Sequence, residues 1–372
     1  MKVLHVINSL RSGGAEKLLE DLLPRMNGQE GVQIEVLLLT DEGNVFDKGL
    51  REVGIPIYVV PLKSVYNPLN IFYLRRHIVK NKYDIVHVHL FPASYWVALA
   101  ARSILTARPK LIFTEHSTRN RRRTKRYLKN IERLVYSTYD KVVSVSSQVQ
   151  ENLIDWLNPT DKSKFIVIEN GIDVEKFSLA EPYMKSELYD TFSDNTKLVC
   201  MVGRFTEAKD QATLIKAIAK LPENVHLLLI GDGQLREENE TLCENIGVSE
   251  RVHFLGFRED VPRILKTVDV VVLSSKWEGL PLSLIEAMAA GKPVIGSNVQ
   301  GIVDVLGNKE MVFQMGDSSE LAKKIFSLLD DKSTCNILLE ENAKKVAAYS
   351  VKYTASRYLD LYKELVSDDL KP

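Results

Sequence analysis

Residues 277–293 read WEGLPLSLIEAMAAGKP, and this stretch carries the clearest structural signal in the chain. It follows the apolar run 268–274, which is typical of a buried strand. Pro281 suits the first turn of a helix, and Gly291 with Pro293 suits the point where that helix ends. The stretch therefore predicts a strand, a loop and a helix in succession, which is the repeating unit of a parallel sheet.

Apolar runs recur along the whole chain in two series, and helical patterns separate several of them. The first series predicts strands at 2–8, 32–40, 57–60, 85–90, 111–114, 141–146 and 165–168. The second series predicts strands at 198–202, 226–230, 252–255, 268–274 and 293–296, with glycines at several strand ends. Such patterns are typical of βαβ units. The fold class is therefore α/β with parallel sheets.

Length and charge divide the chain into two halves. A chain of 372 residues exceeds one ordinary core, so we expect two domains. The formal net charge is zero, but residues 1–177 carry +7 and residues 178–372 carry −7. The first half could therefore face an anionic partner.

The apolar runs 3–7 and 95–101 are too short for a signal peptide or a membrane span. We expect a cytoplasmic protein whose membrane contact, if any, is peripheral.

Two glutamates accompany the helix predicted in 277–293. Glu278 lies in the loop before the helix, and Glu286 lies on the helix. The backbone N–H groups around Gly279 and Leu280 can point at an anion, helped by the helix dipole. Carboxylates beside an anion site can accept hydrogen bonds from sugar and ribose hydroxyls. A solvated loop and a surface helix carrying these glutamates are an alternative of about equal weight.

A second strand-end loop, 203–209, begins at Gly203 and contains Arg204 and Lys209. These two cations can converge on a diphosphate, because arginine makes bidentate contacts and lysine supplies a point charge. A diphosphate gains negative charge as a leaving group, and fixed donors at such a position are worth ~10²–10³-fold in rate. A basic surface loop is the alternative.

Gly13 and Gly14 open a helix after the first strand, which makes them a possible approach for a phosphate. A plain tight turn explains them as well. Both this loop and the Gly231-Asp232-Gly233 loop lack the third glycine of a dinucleotide fingerprint, and the first also lacks the Gly-Lys-Ser/Thr of a P-loop. These absences exclude a nicotinamide-dependent dehydrogenase.

His87, His89 and His116 lie in or just after predicted strands of the first half. His87 and His89 share one strand face, since side chains alternate with a period of two. No third ligand is evident, so packing or substrate contact is favoured over a metal site. His116 follows a strand's carboxyl end, where substrates bind in open α/β sheets.

A basic run occupies 119–129 and includes Arg121, Arg122, Arg123 and Arg126. A solvated helix face is the simplest interpretation. Contact with anionic lipid or a phosphorylated acceptor is the functional alternative, favoured by the position directly after His116. Because the chain has no recognisable nucleic-acid-binding motif, we expect no nucleic-acid partner.

With these motifs in place, nearly the whole chain resembles glycosyltransferase family 4, whose members have the GT-B fold. The pattern Glu278-x7-Glu286 in its sequence context is the most specific element. Gly203-Arg204 with Lys209, the Gly13-Gly14 loop, His116 and the segment 169–173 (ENGID) also match family elements.

The resemblance implies two facing Rossmann-like domains with a cleft between them. The first, 1–178, would bind the acceptor, and the second, 179–351, would bind the nucleotide sugar. The last helix, about 352–372, would cross back onto the first domain. The implied reaction retains anomeric configuration and needs no metal ion or other cofactor. The implied partners are a nucleotide-sugar donor, with UDP-sugars favoured, and a saccharide or lipid-linked acceptor in bacterial surface polysaccharide assembly.

The resemblance also implies roles for individual residues. Arg204 and Lys209 would hold the diphosphate, Glu278 the sugar hydroxyls, Glu286 the ribose, and His116 the sugar near the reacting carbon. The loop containing Phe257 would lie near the base. Two alternatives stay open: a GT-B nucleotide-sugar epimerase, and a protein that binds nucleotide sugar without catalysis.

Overall fold

The computed structural model describes residues 1–106, 108–116, 121–125 and 127–367, without the side chains of residues 121, 124 and 332–338. The chain forms two compact units: Met1–Gly171 joined by the segment from Val351 onward, and Ile172–Ser350. The boundary precedes the predicted residue 178. The Ile172 N–H donates to the Tyr349 carbonyl (2.8 Å), and Phe177 packs in the second core, so this stretch belongs to the second unit.

The first unit is built on a parallel sheet with helices between its strands. Its elements before residue 171 are β1 (Lys2–Ile7), α1 (Gly14–Met26), β2 (Gln33–Leu38), α2 (Asp47–Glu52), β3 (Ile57–Val59), α3 (Asn70–Asn81), β4 (Ile85–His89), α4 (Ala93–Arg102), β5 (Lys110–Glu115), α5 (Leu128–Ser137), β6 (Lys141–Ser144), α6 (Ser147–Leu157) and β7 (Phe165–Val167). Within the residues described, the seven strands have the order β3-β2-β1-β4-β5-β6-β7. The strand order reverses direction between β1 and β4, so this is a ligand-binding position in open α/β sheets.

The second unit repeats the architecture. Its elements are α7 (Val174–Ser178), α8 (Lys185–Leu188), β8 (Lys197–Val202), α9 (Gln211–Ile218), β9 (Val225–Ile230), α10 (Arg236–Asn245), β10 (Val252–Gly256), α11 (Val261–Thr267), β11 (Val270–Leu273), α12 (Leu282–Ala289), β12 (Val294–Ser297), α13 (Gln300–Leu306), β13 (Val312–Phe313), α14 (Ser318–Asp330) and α15 (Lys332–Val346). In the part of the chain that the structure describes, the sheet order is β10-β9-β8-β11-β12-β13. The reversal lies between β8 and β11, whose following loops carry the two strongest sequence motifs.

Both predicted strand series are confirmed, and each predicted strand overlaps an observed one. One observed strand, β13, was not predicted from the sequence. Its two residues are too few to form an apolar run. The doubly wound α/β architecture of each unit therefore agrees with the predicted fold class.

The last described helix, α16 (Val351–Ser367), packs against α1 and closes one face of the first sheet. Its predicted apolar face, formed by Tyr358, Leu361, Tyr362 and Leu365, is buried. The same face of the sheet presents His5 of β1 and the odd-numbered residues of β4, because side chains alternate along each strand. The opposite face packs on α3, α4, α5 and α6. Polar histidines therefore lie beneath α16, at the end of the sheet where ligands bind.

Candidate active site

Three strand ends in the second unit meet through glycine backbone. The Gly203 N–H donates to the Ile230 carbonyl (2.9 Å), and the Gly231 N–H donates to the Gly256 carbonyl (2.8 Å). Gly231 has a φ of +130°, and a Cβ there would lie 2.3 Å from the Gly203 carbonyl oxygen. Only glycine combines that conformation with that approach. The loops after β8, β9 and β10 are thereby held side by side.

The loop after β11 is tied to the loop after β8. Ser274 Oγ donates to the carbonyl oxygens of Lys209 (3.1 Å) and Asp210 (2.8 Å). The Lys276 N–H donates to the Ala208 carbonyl (2.8 Å). Ser274 is fully buried, so these bonds are shielded from competing water. The two motif-bearing loops therefore form one connected surface.

Lys209 and Glu278 meet across that surface. Lys209 Nζ lies 2.5 Å from Glu278 Oε1, and their side chains are 21% and 11% exposed. Ser275 Oγ donates to the same carboxylate oxygen (2.6 Å). The structure thus brings together the cation assigned to a diphosphate and the carboxylate assigned to sugar hydroxyls. Their sequence separation hides this contact, which depends on the β8–β11 adjacency.

Gly279, Leu280 and Pro281 separate Glu278 from the start of α12. Gly279 and Leu280 are partly exposed, and their N–H groups donate no hydrogen bond within the described chain. Glu286 lies on α12 and is also partly exposed. Gly301 of α13 packs against the same loop, since a Cβ there would lie 2.9 Å from the carbonyl oxygens of both Glu278 and Gly279. Gly301 could not be predicted, because nothing in its local sequence shows which loop it packs against.

Two further candidates of the second unit are exposed. The Arg204 side chain makes no hydrogen bond or ion pair with any described residue, although its carbonyl accepts a bond from Gln211 Nε2 (3.0 Å). Phe257 is 43% exposed at the end of β10. Next to it, ion pairing with Arg258 holds the pKa of Asp260 down at about 2, so that this loop is anchored. Arg204 and Phe257 are therefore accessible to a ligand.

In the first unit, Gly13 precedes α1 and Gly14 is its first residue. Gly13 is in an extended conformation, and the Glu16 carboxylate occupies the space that a Cβ at Gly13 would fill. Gly14 has open space beside it. The start of α1 is therefore open at Gly14, whereas the Glu16 carboxylate covers it at Gly13.

His116 follows β5 and belongs to a histidine cluster. His116 Nε2 lies 3.2 Å from His89 Nδ1, and His89 Nε2 lies 3.1 Å from His5 Nδ1. Burial lowers the pKa of His5 to about 3 and of His116 to about 4. The pKa values of His87 and His89 also fall well below the usual value, mainly through burial. All four imidazoles are therefore neutral near pH 7.

The expectation that His87 and His89 lack a third companion was wrong. The ring nitrogens of His5, His87 and His89 that could bind a metal lie within 4.8 Å of one another. His5 stands beside His87 in the β1–β4 register, and all three histidines are buried. The missed signal is His5 itself, a polar residue interrupting the first apolar run.

The basic run differs from the predicted solvent-facing surface at two positions. Arg122 pairs with the fully buried Glu132 (2.9 Å), and its guanidinium lies 3.8 Å from the centre of the Phe91 ring. Arg123 pairs with Glu115 (2.6 Å), and both side chains are at most 10% exposed. These two arginines satisfy internal carboxylates and are not free to contact lipid. The Arg121 side chain and Arg126 lie outside the described residues.

Among the described residues, no helix is both long and apolar enough to cross a membrane.

Two doubly wound parallel-sheet units are the architecture of the GT-B fold, and comparisons with known proteins give the class of protein. The family model described as Glycosyltransferase Family 4 matches residues 12–176. The model described as Glycosyl transferases group 1 matches residues 190–346. The chain belongs to glycosyltransferase family 4, and it is a glycosyltransferase.

Two relatives match along almost their whole length. The UDP-Gal:alpha-D-GlcNAc-diphosphoundecaprenol alpha-1,3-galactosyltransferase of Escherichia coli is 27% identical, over 98% of this chain and 97% of the relative. A Campylobacter jejuni alpha-1,4-N-acetyl-D-galactosaminyltransferase, named for a diNAcBac-PP-undecaprenol-linked saccharide, is 26% identical over 98% and 99%. Among solved structures, Anabaena HepE in complex with UDP-glucose is 24% identical, with a TM-score of 0.85 over 98% of this chain and 100% of that one.

Proposed function

We propose that this glycosyltransferase moves a sugar from a nucleotide diphosphate sugar, with UDP-sugars favoured, to a lipid-linked saccharide in bacterial surface polysaccharide assembly. The observation that carries the proposal is the Lys209–Glu278 pair at the β8–β11 reversal. The names of the full-length relatives support the acceptor class. They do not favour the alternatives of an epimerase or a non-catalytic binding protein.

Lys209 is assigned to the diphosphate. Its ammonium group has three donors, and one of them is directed at Glu278 Oε1. The others are available to diphosphate oxygens, and Arg204 adds a second, exposed cation from the same loop. When the bond between the sugar C1 and the diphosphate oxygen breaks, the electron pair stays on that oxygen. Fixed cations stabilise this charge as it develops.

Glu278 is assigned to the hydroxyls of the donor sugar. Its Oε2 makes no hydrogen bond to any described residue and can accept from them. Gly279 and Leu280, just before α12, offer two N–H groups that donate to no described residue, and these suit the diphosphate. Glu286 would hold the ribose, and the exposed Phe257 would lie near the base.

In the first unit, His116 would contact the donor sugar near its reacting carbon, and the Gly13-Gly14 loop would give a phosphate access to the start of α1 at its open residue, Gly14. Because Lys209 and Arg204 can offset the diphosphate charge, we assign no role to a metal ion. The reaction would retain the anomeric configuration of the donor.

An anionic membrane surface is the second proposed partner, because a lipid-linked acceptor resides there. Arg122 and Arg123 are not assigned to it. The neighbouring helix α5 instead exposes Ile131 (47%) and Leu134 (50%), and its N-cap residue Tyr127 is also exposed (71%). The exposed Lys125 precedes them. Apolar side chains at this spacing share one helix face, and a cation beside them adds attraction to acidic lipid.

The membrane proposal is tested by sedimentation with phosphatidylglycerol vesicles. We expect the double variant Ile131→Ser, Leu134→Ser to bind at least several-fold more weakly than the wild type. Val79→Ser on α3 removes a similarly exposed apolar side chain (48%) and serves as the matched control. Equal binding by all three proteins would contradict the proposal.

The transferase proposal is tested by measuring nucleotide release from a panel of UDP-, GDP- and ADP-sugars. Membrane lipid extract supplies the acceptor, and Glu278→Ala is the inactive control. We expect release from one donor, dependent on the extract and absent in the control, with an α-linked product from an α-linked donor. Donor binding without release, or release without acceptor, would favour the binding protein or the epimerase.

A further inference from the structure

A continuous chain of hydrogen bonds runs from α16 through the first sheet to His116. Tyr358 Oη lies 3.2 Å from Thr114 Oγ1, which lies 2.7 Å from His87 Nε2. His87 Nδ1 lies 2.6 Å from Tyr362 Oη, and Tyr362 Oη lies 3.3 Å from His5 Nε2. His5 Nδ1 then contacts His89 Nε2 (3.1 Å), and His89 Nδ1 contacts His116 Nε2 (3.2 Å). Each ring therefore uses both nitrogens, except His116.

Two proton arrangements of this chain run in a single direction from one end to the other. A neutral imidazole has one N–H donor and one acceptor nitrogen, and a hydroxyl has one proton to donate. Each imidazole inside the chain must donate on one side and accept on the other, so the direction can change only at the Thr114 or Tyr362 hydroxyl, which can accept from both sides. In the first arrangement, Tyr358 donates to Thr114 and each group donates onward toward His116. In the second, His116 donates to His89 and the last proton belongs to Tyr358.

The two arrangements differ in what happens at the buried end. Tyr358 is 1% exposed, and Thr114 is the only hydrogen-bond partner of its hydroxyl among the described residues. In the second arrangement Tyr358 accepts from Thr114, so its own O–H proton has no acceptor. A buried donor without a partner is disfavoured by its lost hydration. If Thr114 or Tyr362 instead accepts from both sides, its own O–H proton has no acceptor among the described residues. Only the first arrangement satisfies every buried donor, because the tyrosine proton goes to Thr114.

We infer that this chain fixes His116 as the tautomer that carries its proton on Nδ1, so that His116 presents an N–H donor beyond the chain. Tyr362, His5 and His89 act as positioning residues for it. His116 is partly exposed, and its Nδ1 bonds to no described residue. The depressed pKa values of the four rings keep them neutral, as the chain requires. The group that His116 would meet is an acceptor oxygen, such as a hydroxyl of the donor sugar; this last step rests on the proposed function.

The tautomer is measured directly by long-range ¹H–¹⁵N NMR on protein labelled with ¹⁵N at its seven histidines, with His116→Gln used to assign the signal. We expect Nδ1–H to predominate at His116 by about tenfold or more in the wild type. Tyr362→Phe removes the link between His87 and His5, so we expect a mixture of both tautomers. Tyr358→Phe, one helical turn earlier, is the matched control. It also removes one buried hydroxyl, but Thr114 still donates to His87, so Nδ1–H should persist.

A second pair of variants protects the test against a folding defect in Tyr362→Phe. Thr114→Val should give the mixture and Thr114→Ser should restore the wild-type tautomer. An Nε2–H tautomer in the wild type, or the same tautomer in all variants, would overturn the inference. Stoichiometric Zn²⁺ retained by the wild type and lost in His87→Gln would also overturn it, because a metal would take the ring lone pairs.

Kinetics separate this inference from the proposed function. We expect Tyr362→Phe to lower kcat several-fold in the wild-type background and to have no further effect in His116→Gln. If the tautomer changes but turnover does not, the inference about the hydrogen-bond chain stands, and the proposed contact between His116 and the donor sugar is wrong.

Discussion

Gly301 of α13 lies against the backbone of Glu278, where a Cβ would be 2.9 Å from the carbonyl oxygen. This contact positions the loop that carries the candidate carboxylate, although Gly301 itself has no chemistry to offer. A residue of this kind makes the geometry of the site sensitive to a single methyl group.

We therefore expect Gly301→Ala to displace the loop 278–279 and to reduce turnover by up to about 10²-fold, since misplacement by 1 Å can have that cost. Steady-state turnover with the donor found by the panel measures the effect. Gln300→Ala, an exposed neighbour in the same helix, should keep normal activity. Normal turnover in Gly301→Ala would mean that the loop 278–279 can move to accommodate the methyl group without affecting catalysis.

Lys209→Ala should lower kcat by about 10²-fold or more, because a leaving diphosphate would lose a fixed cation. The exposed Lys276→Ala, in the adjoining loop, should have little effect. Since Lys209 and Glu278 contact each other directly, the double variant with Glu278→Gln should be less impaired than the two single losses multiplied together. Strictly multiplicative losses would show that the two side chains act independently.

Arg123→Ala should destabilise the first unit by about 3–5 kcal/mol, because Glu115 would be left buried without its ion-pair partner. Urea unfolding monitored by circular dichroism gives the free energy of unfolding. Lys125→Ala, an exposed cation two residues away, should change it by no more than about 0.5 kcal/mol. If both variants change the free energy of unfolding by a similarly small amount, Arg123 is a solvent-facing cation and not the partner of a buried carboxylate.

The first unit should lose stability as the pH falls below about 6.5. Its buried histidines have lowered pKa values when folded, to about 3 for His5, so the unfolded chain binds protons first. Their contribution is fully present above the unfolded pKa and disappears as the pH approaches the folded one. Each such histidine adds a slope of up to about 1.4 kcal/mol per pH unit.

Tryptophan fluorescence in urea at pH 7.5 and pH 5 measures this loss. A Trp277→Phe background leaves Trp96 and Trp156, both in the first unit, as the only tryptophans. We expect a smaller pH effect in the His5→Leu variant than in its parent. Identical slopes in the two proteins would mean that His5 is not held neutral by the fold.

The sequence predicted the sheets well because strands buried on both faces are short, continuous apolar runs. It could not predict β13, whose Val312 and Phe313 pair through position rather than pattern. It identified Lys209 and Glu278 as candidates, but not their contact, because that depends on β8 lying beside β11. The general rule is that local patterns specify elements, whereas the neighbours of an element follow from topology.

The same limit explains the two corrections. His5 joins His87 only because β1 and β4 are adjacent and in register. Arg122 and Arg123 read as surface cations because the sequence shows a charge without its partner. Glu132 and Glu115, which neutralise them, lie on another helix and at the end of a strand.

The placement of α16 has a consequence for synthesis on the ribosome. Most of the first unit lies before Ile172 in the chain, yet its sheet gains one covering helix only from Val351 onward. The whole of Ile172–Ser350 emerges before that helix does, so the second unit can complete its core while α16 is still missing from the core that contains Val3, Ile7 and Ile85. The domain that is translated first is thus the last to finish folding, and during that interval its open apolar face is where chaperones would bind.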